Sequence, residues 1–286
     1  MIDNIISKVF NQNDYTLEKL NKGITNQNYL LSIQQKQYMV RIPYNDHTHI
    51  FKRKHEAEIL KEVHNLDVTT VFYDETSGIK ITEYVEGLYE YEECPFVDKI
   101  ERSAKLIKEL HKKVVPSFSF EPIATLYKYK NKVKHPVYDI EPYEIIIEQI
   151  QHLNHKQVLC HNDLVSGNLL FGEDRDYLID YEYAASNDAL FDVMSFISEN
   201  QIDDKNLREQ FYRIYFDEIT EEIRHDLFLW EAFHNILWCY WAMMLAEKRS
   251  DSIYKKIAKD KYNALKKMKI LENLKIHING LQKKRL

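Results

Sequence analysis

The stretch that most constrains this chain is 158–182, VLCHNDLVSGNLLFGEDRDYLIDYE. An apolar run ends at His161-Asn162-Asp163, a polar loop carries Gly167 and Asn168, and Leu169-Leu170-Phe171 turns apolar again. A turn then leads to a second apolar run that ends in Asp180. This pattern predicts a short strand, a loop and a strand pair that bring three polar side chains to one cleft. Asp163, five residues before Asn168, can sit beside an incoming hydroxyl. Asn168 and Asp180 offer the oxygen ligands that a magnesium ion takes. Together these groups are the equipment of phosphoryl transfer, where positioning and charge neutralisation do most of the catalysis. The plainer reading of the same residues is a buried histidine and a capping aspartate near two hairpin turns.

His161-x-Asp163-x-x-x-x-Asn168 has the spacing of the catalytic loop in the protein-kinase-like superfamily, and Asp180 stands where that superfamily carries its second metal ligand. The fuller string HNDLVSGNLL, followed by IDYEYAASNDALFD, resembles the choline/ethanolamine kinase family, bacterial choline kinase type, within the aminoglycoside-phosphotransferase and protein-kinase-like superfamily. The resemblance spans roughly 20–260 and is strongest at 158–199. It implies an α+β, bilobal protein-kinase-like fold: a small antiparallel β N-lobe with a helix over 1–86, and a larger, mainly helical C-lobe over 87–286. It also implies ATP and Mg2+ as cofactors, with Asp163, Asn168 and Asp180 catalytic and Asn168 and Asp180 on the metal. His161 and Asp192 fall on positions that support the catalytic loop through its backbone.

Composition bounds the alternatives. At 286 residues with 44% hydrophobic and 29% charged residues, the chain is long enough for one large core or two lobes. No apolar run reaches the length of a membrane span, and MIDNIISKVF lacks the layout of a signal peptide. Cys94, Cys160 and Cys239 are too scattered for a zinc or disulfide framework, which suits free thiols in a cytoplasmic protein. The net charge of -6 is asymmetric: from Lys248 onward there are 13 Lys/Arg against 3 Asp/Glu, so the rest carries about -16. An acidic body argues against a nucleic-acid partner and suits a cationic small molecule. The basic end reads as a solvated helix face, or one packed on the acidic body. Monomer and homodimer are both open.

Taken in order, residues 1–11 predict a helix with Ile2, Ile5, Ile6 and Val9 inward. Alternation over 28–33 and 37–42 predicts two antiparallel strands around a Gln34-Gln35-Lys36 turn. The preceding loop Gly23–Asn28 lacks a three-glycine fingerprint. By resemblance, Thr25, Asn26 and Asn28 in it face the nucleotide phosphates. Arg41 is a charge inside a β run and wants a partner. The resemblance makes it a phosphate ligand held by Glu56 of a helix over 51–65, with Glu58 the alternative. Strands over 68–73 and 78–84 lead to a hinge, where backbone groups of Glu83 and Val85 would meet the adenine edge. A helix over 97–113 ends near His111, and 116–143 is Pro- and Tyr-rich without evident chemistry. Helices near 206–219, 224–247 and 251–272 complete the chain.

Substrate class rests on the aromatic run 228–241. Trp238 and Trp241 lie three apart on one helix face. A quaternary ammonium has no N–H donors and is best met by aromatic faces and nearby negative charge. The resemblance places Trp238, Trp241, Glu182, Glu199 and Tyr254 around choline, with Ile257 where relatives often carry a further tyrosine. The competing reading makes the tryptophans ordinary helical core. The implied activity is direct ATP-dependent phosphorylation of choline. The alternatives are a kinase of ethanolamine, an aminoglycoside or another amino alcohol or sugar, or a binding protein on a decayed kinase fold.

Overall fold

The computed structural model describes residues 2–20, 26–44, 52–249 and 251–270. Thr25 and the first half of the expected phosphate loop lie outside the described residues, as does the far end of the expected last helix. Helix α1 (Ile2–Phe10) precedes β1 (Thr16–Leu20), β2 (Asn26–Ile33) and β3 (Lys36–Pro43), then α2 (Arg53–Glu62), β4 (Thr70–Tyr73) and β5 (Lys80–Glu83). The strands form one antiparallel sheet in the order β1-β2-β3-β5-β4. Alternation turns Leu31, Ile33, Val40, Ile79 and Ile81 to one face, where Ile6 of α1 closes a small core. Strand β1 had no clear signature, because TLEKL carries two charges; it is fixed by pairing with β2 from Thr16↔Ser32 to Leu20↔Asn28.

Helix α2 faces two ways. Its Ile59, with the nearby Val63 and Leu66, joins the larger core of the rest of the chain. Its Glu56 turns toward β3. The sheet is thereby tied to the helical part of the molecule.

After β5 the chain turns at Gly87, whose φ of 73° favours glycine. Next come β6 (Tyr89–Glu90), α3 (Lys99–Leu110), α4 (Pro122–Lys130), α5 (Ile145–Ile150), β7 (Gln157–Cys160), β8 (Leu169–Phe171), β9 (Asp176–Leu178) and β10 (Ala185–Asp188). Helices α6 (Ala189–Glu199), α7 (Lys205–Tyr215), α8 (Glu221–Arg249) and α9 (Ser252–Lys267) complete the order. Asp188, Asp204 and Asp251 cap α6, α7 and α9 by accepting from first-turn N–H groups. Helix α8 is buried almost all round from Leu227 to Leu245 and is the axis on which α4, α5, α6 and α9 pack. An antiparallel lobe succeeded by a mainly helical one is the architecture expected from the sequence. Among the described residues no helix is long and apolar enough to cross a membrane.

Candidate active site

The loop between β7 and β8 is held by its backbone. Asp192, fully buried on α6, accepts from the N–H of His161 (2.6 Å) and of Asn162 (2.7 Å). Asn162 sits at φ 66°, a left-handed conformation that asparagine tolerates better than most residues. Its amide bonds the Tyr183 carbonyl (2.9 Å) and accepts from Asn187 (2.8 Å). His161 donates from Nε2 to the Ile179 carbonyl (2.9 Å), linking the loop to the strand end before Asp180. Burial pushes its imidazole below the ordinary range, so the ring stays neutral. His111, at the end of α3, joins the brace: Nε2 lies 3.0 Å from Asp192 and Nδ1 2.5 Å from the Tyr215 hydroxyl.

Asn168 donates its amide to the Asp163 carbonyl (2.8 Å) and carboxylate (3.3 Å). With its N–H groups used inside the loop, its Oδ1 is the atom left to face a cation. Asp180, at φ 66°, shares the cleft with both. Burial first, then the charges of Asp180 and Glu199, push the Asp163 carboxyl up to about 8, with the Asn168 amide pulling it down.

On the opposite wall, Arg41 of β3 bonds Glu56 through both carboxylate oxygens (2.6 and 2.8 Å) and also bonds Asp180. Glu58 points to solvent, so Glu56 is the partner. Tyr73 secures Glu56 from the other side (hydroxyl to carboxylate, 2.9 Å). The buried Arg41 Nε has no acceptor among the described residues. A hard cation suits the Asn168–Asp180 oxygen pair, and an anion suits the spare Arg41 donor. The residues therefore fit magnesium and phosphate. Asn28, paired across from Arg41, lines the same cleft, as do Glu83 and Val85 at the exit of β5.

The cleft encloses about 1710 Å³ and continues past Asp163 to an aromatic wall. Trp238 and Trp241 both line it, their rings edge to face at 5.8 Å, and Tyr183 meets Trp238 edge-on at 6.2 Å. They are only 6% and 9% exposed, so each is at once core and wall. Trp238 is fixed by a relay: its Nε1 donates to His234 Nδ1 (3.1 Å), whose Nε2 donates to the Phe191 carbonyl (2.8 Å). Burial drives His234 down to about 3, which keeps the acceptor nitrogen unprotonated.

Some sequence expectations land elsewhere. Tyr254 is 2% exposed and does not line the cleft; it packs edge-on behind Trp241 at 5.6 Å, and its hydroxyl accepts from Arg249 (2.6 Å). It supports the wall without facing into it, because α9 crosses behind Trp241. Glu182 also lies off the lining; its carboxylate faces the Asn26 amide at 3.4 Å. Burial and Asp180 hold it well above the ordinary carboxylate range, against the pull of Arg41. Glu199 does line the cleft, but its carboxylate is 2.6 Å from Lys261.

Other residues of the site were not singled out by sequence. Lys80, buried on β5 opposite Arg41, pairs with Asp67 at 2.5 Å. It too is a charge inside a β run, and the reasoning applied to Arg41 finds it. Tyr129 of α4 is buried beside Asp163 and Glu182 and hydrogen-bonded to Tyr183. Nothing distinguishes it from its neighbouring tyrosines in sequence.

A small antiparallel sheet over a helical lobe, with Asp163, Asn168 and Asp180 gathered where they meet, defines a phosphotransferase of protein-kinase-like fold. The crystal structure of choline kinase LicA from Streptococcus pneumoniae shares this fold, with a TM-score of 0.79 at 23% identity over 93% of this chain and 98% of that one. A sequence model of the choline/ethanolamine kinase family matches residues 17–231. Protein LicA of Haemophilus influenzae is 26% identical over 246 residues, 79% of this chain and 72% of that protein. Probable ethanolamine kinase A of Dictyostelium discoideum is 28% identical over 200 residues, 61% of this chain and 57% of that one. The chain belongs to the choline/ethanolamine kinase family. It is thus a kinase with a nucleotide site and a small amino alcohol as acceptor.

Proposed function

We propose that the chain is an ATP-dependent choline kinase that forms phosphocholine by direct transfer. The observation that carries this reading is the aromatic wall of Tyr183, Trp238 and Trp241 in the same cleft as Asp163. Asp163 accepts the proton of the acceptor hydroxyl as its oxygen bonds to the terminal phosphorus and the bond to the departing diphosphate breaks. Its raised carboxyl is suited to a base working near neutral pH. Arg41, oriented by Glu56 on the cleft wall, neutralises charge on the phosphates. A magnesium ion held by Asn168 and Asp180 would supply charge neutralisation on the nucleotide. No cysteine or serine is needed as a nucleophile, so no phosphoenzyme is expected.

Choline is preferred over ethanolamine on this reading, because trimethylation removes the N–H donors and spreads the charge over methyl groups that suit aromatic faces. Each cation–π contact in a partly desolvated site contributes roughly 1–2 kcal/mol, or about five- to thirtyfold in affinity. Trp241→Leu keeps an apolar side chain, though a smaller one, and removes the π face. It is expected to raise KM for choline by about that factor, to raise KM for ethanolamine less, and to leave kcat nearly unchanged. Steady-state kinetics with both amines checks this. Equal weakening of the two, in a variant that still melts cooperatively, would remove the main support for choline.

A further inference from the structure

Resting on the choline reading, we infer that Lys261 is a specificity-determining residue: by occupying Glu199 it denies a primary ammonium its carboxylate acceptor and tilts the cleft toward a quaternary one. Lys261 lies on α9, one turn after Ile257, and both line the cleft with Trp238 and Trp241. Its ammonium is 2.6 Å from Glu199 Oε1 and 3.4 Å from Ser198 Oγ, and the two charged side chains are only 11% and 14% exposed. The pair is therefore poorly screened and well formed.

A primary ammonium has three N–H groups to satisfy when it leaves water, whereas a quaternary one has none. Three of the cleft's carboxylates are held by cations already. Asp180 holds Arg41, Glu231 is gripped by Arg208 through two bonds (2.7 and 2.8 Å), and Glu199 holds Lys261. Asp163 is needed by the acceptor hydroxyl. Trp238 and Trp241 on the same lining offer the substrate's nitrogen aromatic surface, which rewards methyl groups. Glu199 stands close enough to Asp163 for its charge to act there, so a freed Glu199 would lie within the acceptor's surroundings.

The test is kcat/KM for choline and for ethanolamine in the wild type, Lys261→Met, Glu199→Gln and the double variant. In Lys261→Met the freed carboxylate gains a charge-assisted bond to ethanolamine. The ethanolamine-to-choline ratio is expected to rise about tenfold, mainly through KM. The double variant should return the ratio to near the wild-type value. Glu199→Gln alone should leave it unchanged, since Glu199 does not serve the amine while Lys261 is present. A cooperatively folded Lys261→Met with an unaltered ratio overturns the inference. So does a loss of ethanolamine turnover in Glu199→Gln that is much larger than the loss for choline, which remains informative if the methionine variant does not fold. The wild-type preference is a separate arm: ethanolamine preferred from the outset refutes the choline reading, while the change in ratio on freeing Glu199 still decides Lys261. A wild type that neither binds nor phosphorylates either amine refutes both.

Discussion

Asp163→Asn is expected to lower kcat by about 10²–10⁴-fold, the range set by losing a positioned general base. Nucleotide affinity should be unaffected. The substitution is nearly isosteric, and Asp192 would still hold the His161 and Asn162 N–H groups, so the loop keeps its shape. Only the proton acceptor goes. The pH profile adds a second signature. Burial and three neighbouring carboxylates lift the Asp163 carboxyl out of the ordinary range to about 8 in the free protein. The active form is the carboxylate, so kcat/KM for the amine is lost as pH falls. Bound cations stabilise the carboxylate and lower this value, which places the acid limb at saturating nucleotide above the ordinary carboxylate range and below about 8. Rapid-mix kinetics and calorimetric nucleotide binding test both parts. Near-wild-type turnover in Asp163→Asn would remove the residue from the chemistry.

Arg41→Met should be strongly destabilising. The guanidinium is 11% exposed and bonds two carboxylates, one of which, Glu56, is only 5% exposed. Removing it leaves Glu56 as a buried charge with the Tyr73 hydroxyl still bonded to it and no cation in its place. Breaking one side of a buried pair costs about 3–5 kcal/mol. Replacing both sides by apolar groups is far milder, so Arg41→Met with Glu56→Met should recover much of that stability. It should not recover activity, because no donor is left for the phosphates. Chemical denaturation with activity assays separates the two effects. Full stability in Arg41→Met would show that the Glu56–Arg41–Asp180 chain is not what holds the sheet to the catalytic loop.

The contiguous parts of the site were legible in sequence, and the parts assembled from distant elements were not. His161, Asp163, Asn168 and Asp180 lie within 20 residues, in the loops between the short strands that the apolar runs predict. Arg41 was visible as a charge in an apolar run, and Glu56 as a carboxylate on the next helix. Lys261 meets Glu199 across 62 residues, through the packing of α9 on α8, and helical periodicity alone gives no partner for it. The same packing decides Tyr254. A tyrosine near the wall was readable, but whether its ring faces the cleft or backs Trp241 depends on where α9 crosses. Trp238 was found by spacing, whereas the His234 relay that orients it needs the Phe191 carbonyl on another helix. Strand β1 shows the same limit in the fold, since its partner supplied what its own pattern lacked.

The most direct test is product formation by the wild-type protein. Purified protein is incubated with ATP, Mg2+ and either choline or ethanolamine; ADP release is monitored by a coupled assay and the product identified by phosphorus NMR. Phosphocholine is expected, with a higher kcat/KM for choline than for ethanolamine and no turnover when the metal is chelated. Phosphoethanolamine formed in preference, or ADP released without a phosphorylated amine, would contradict the assignment.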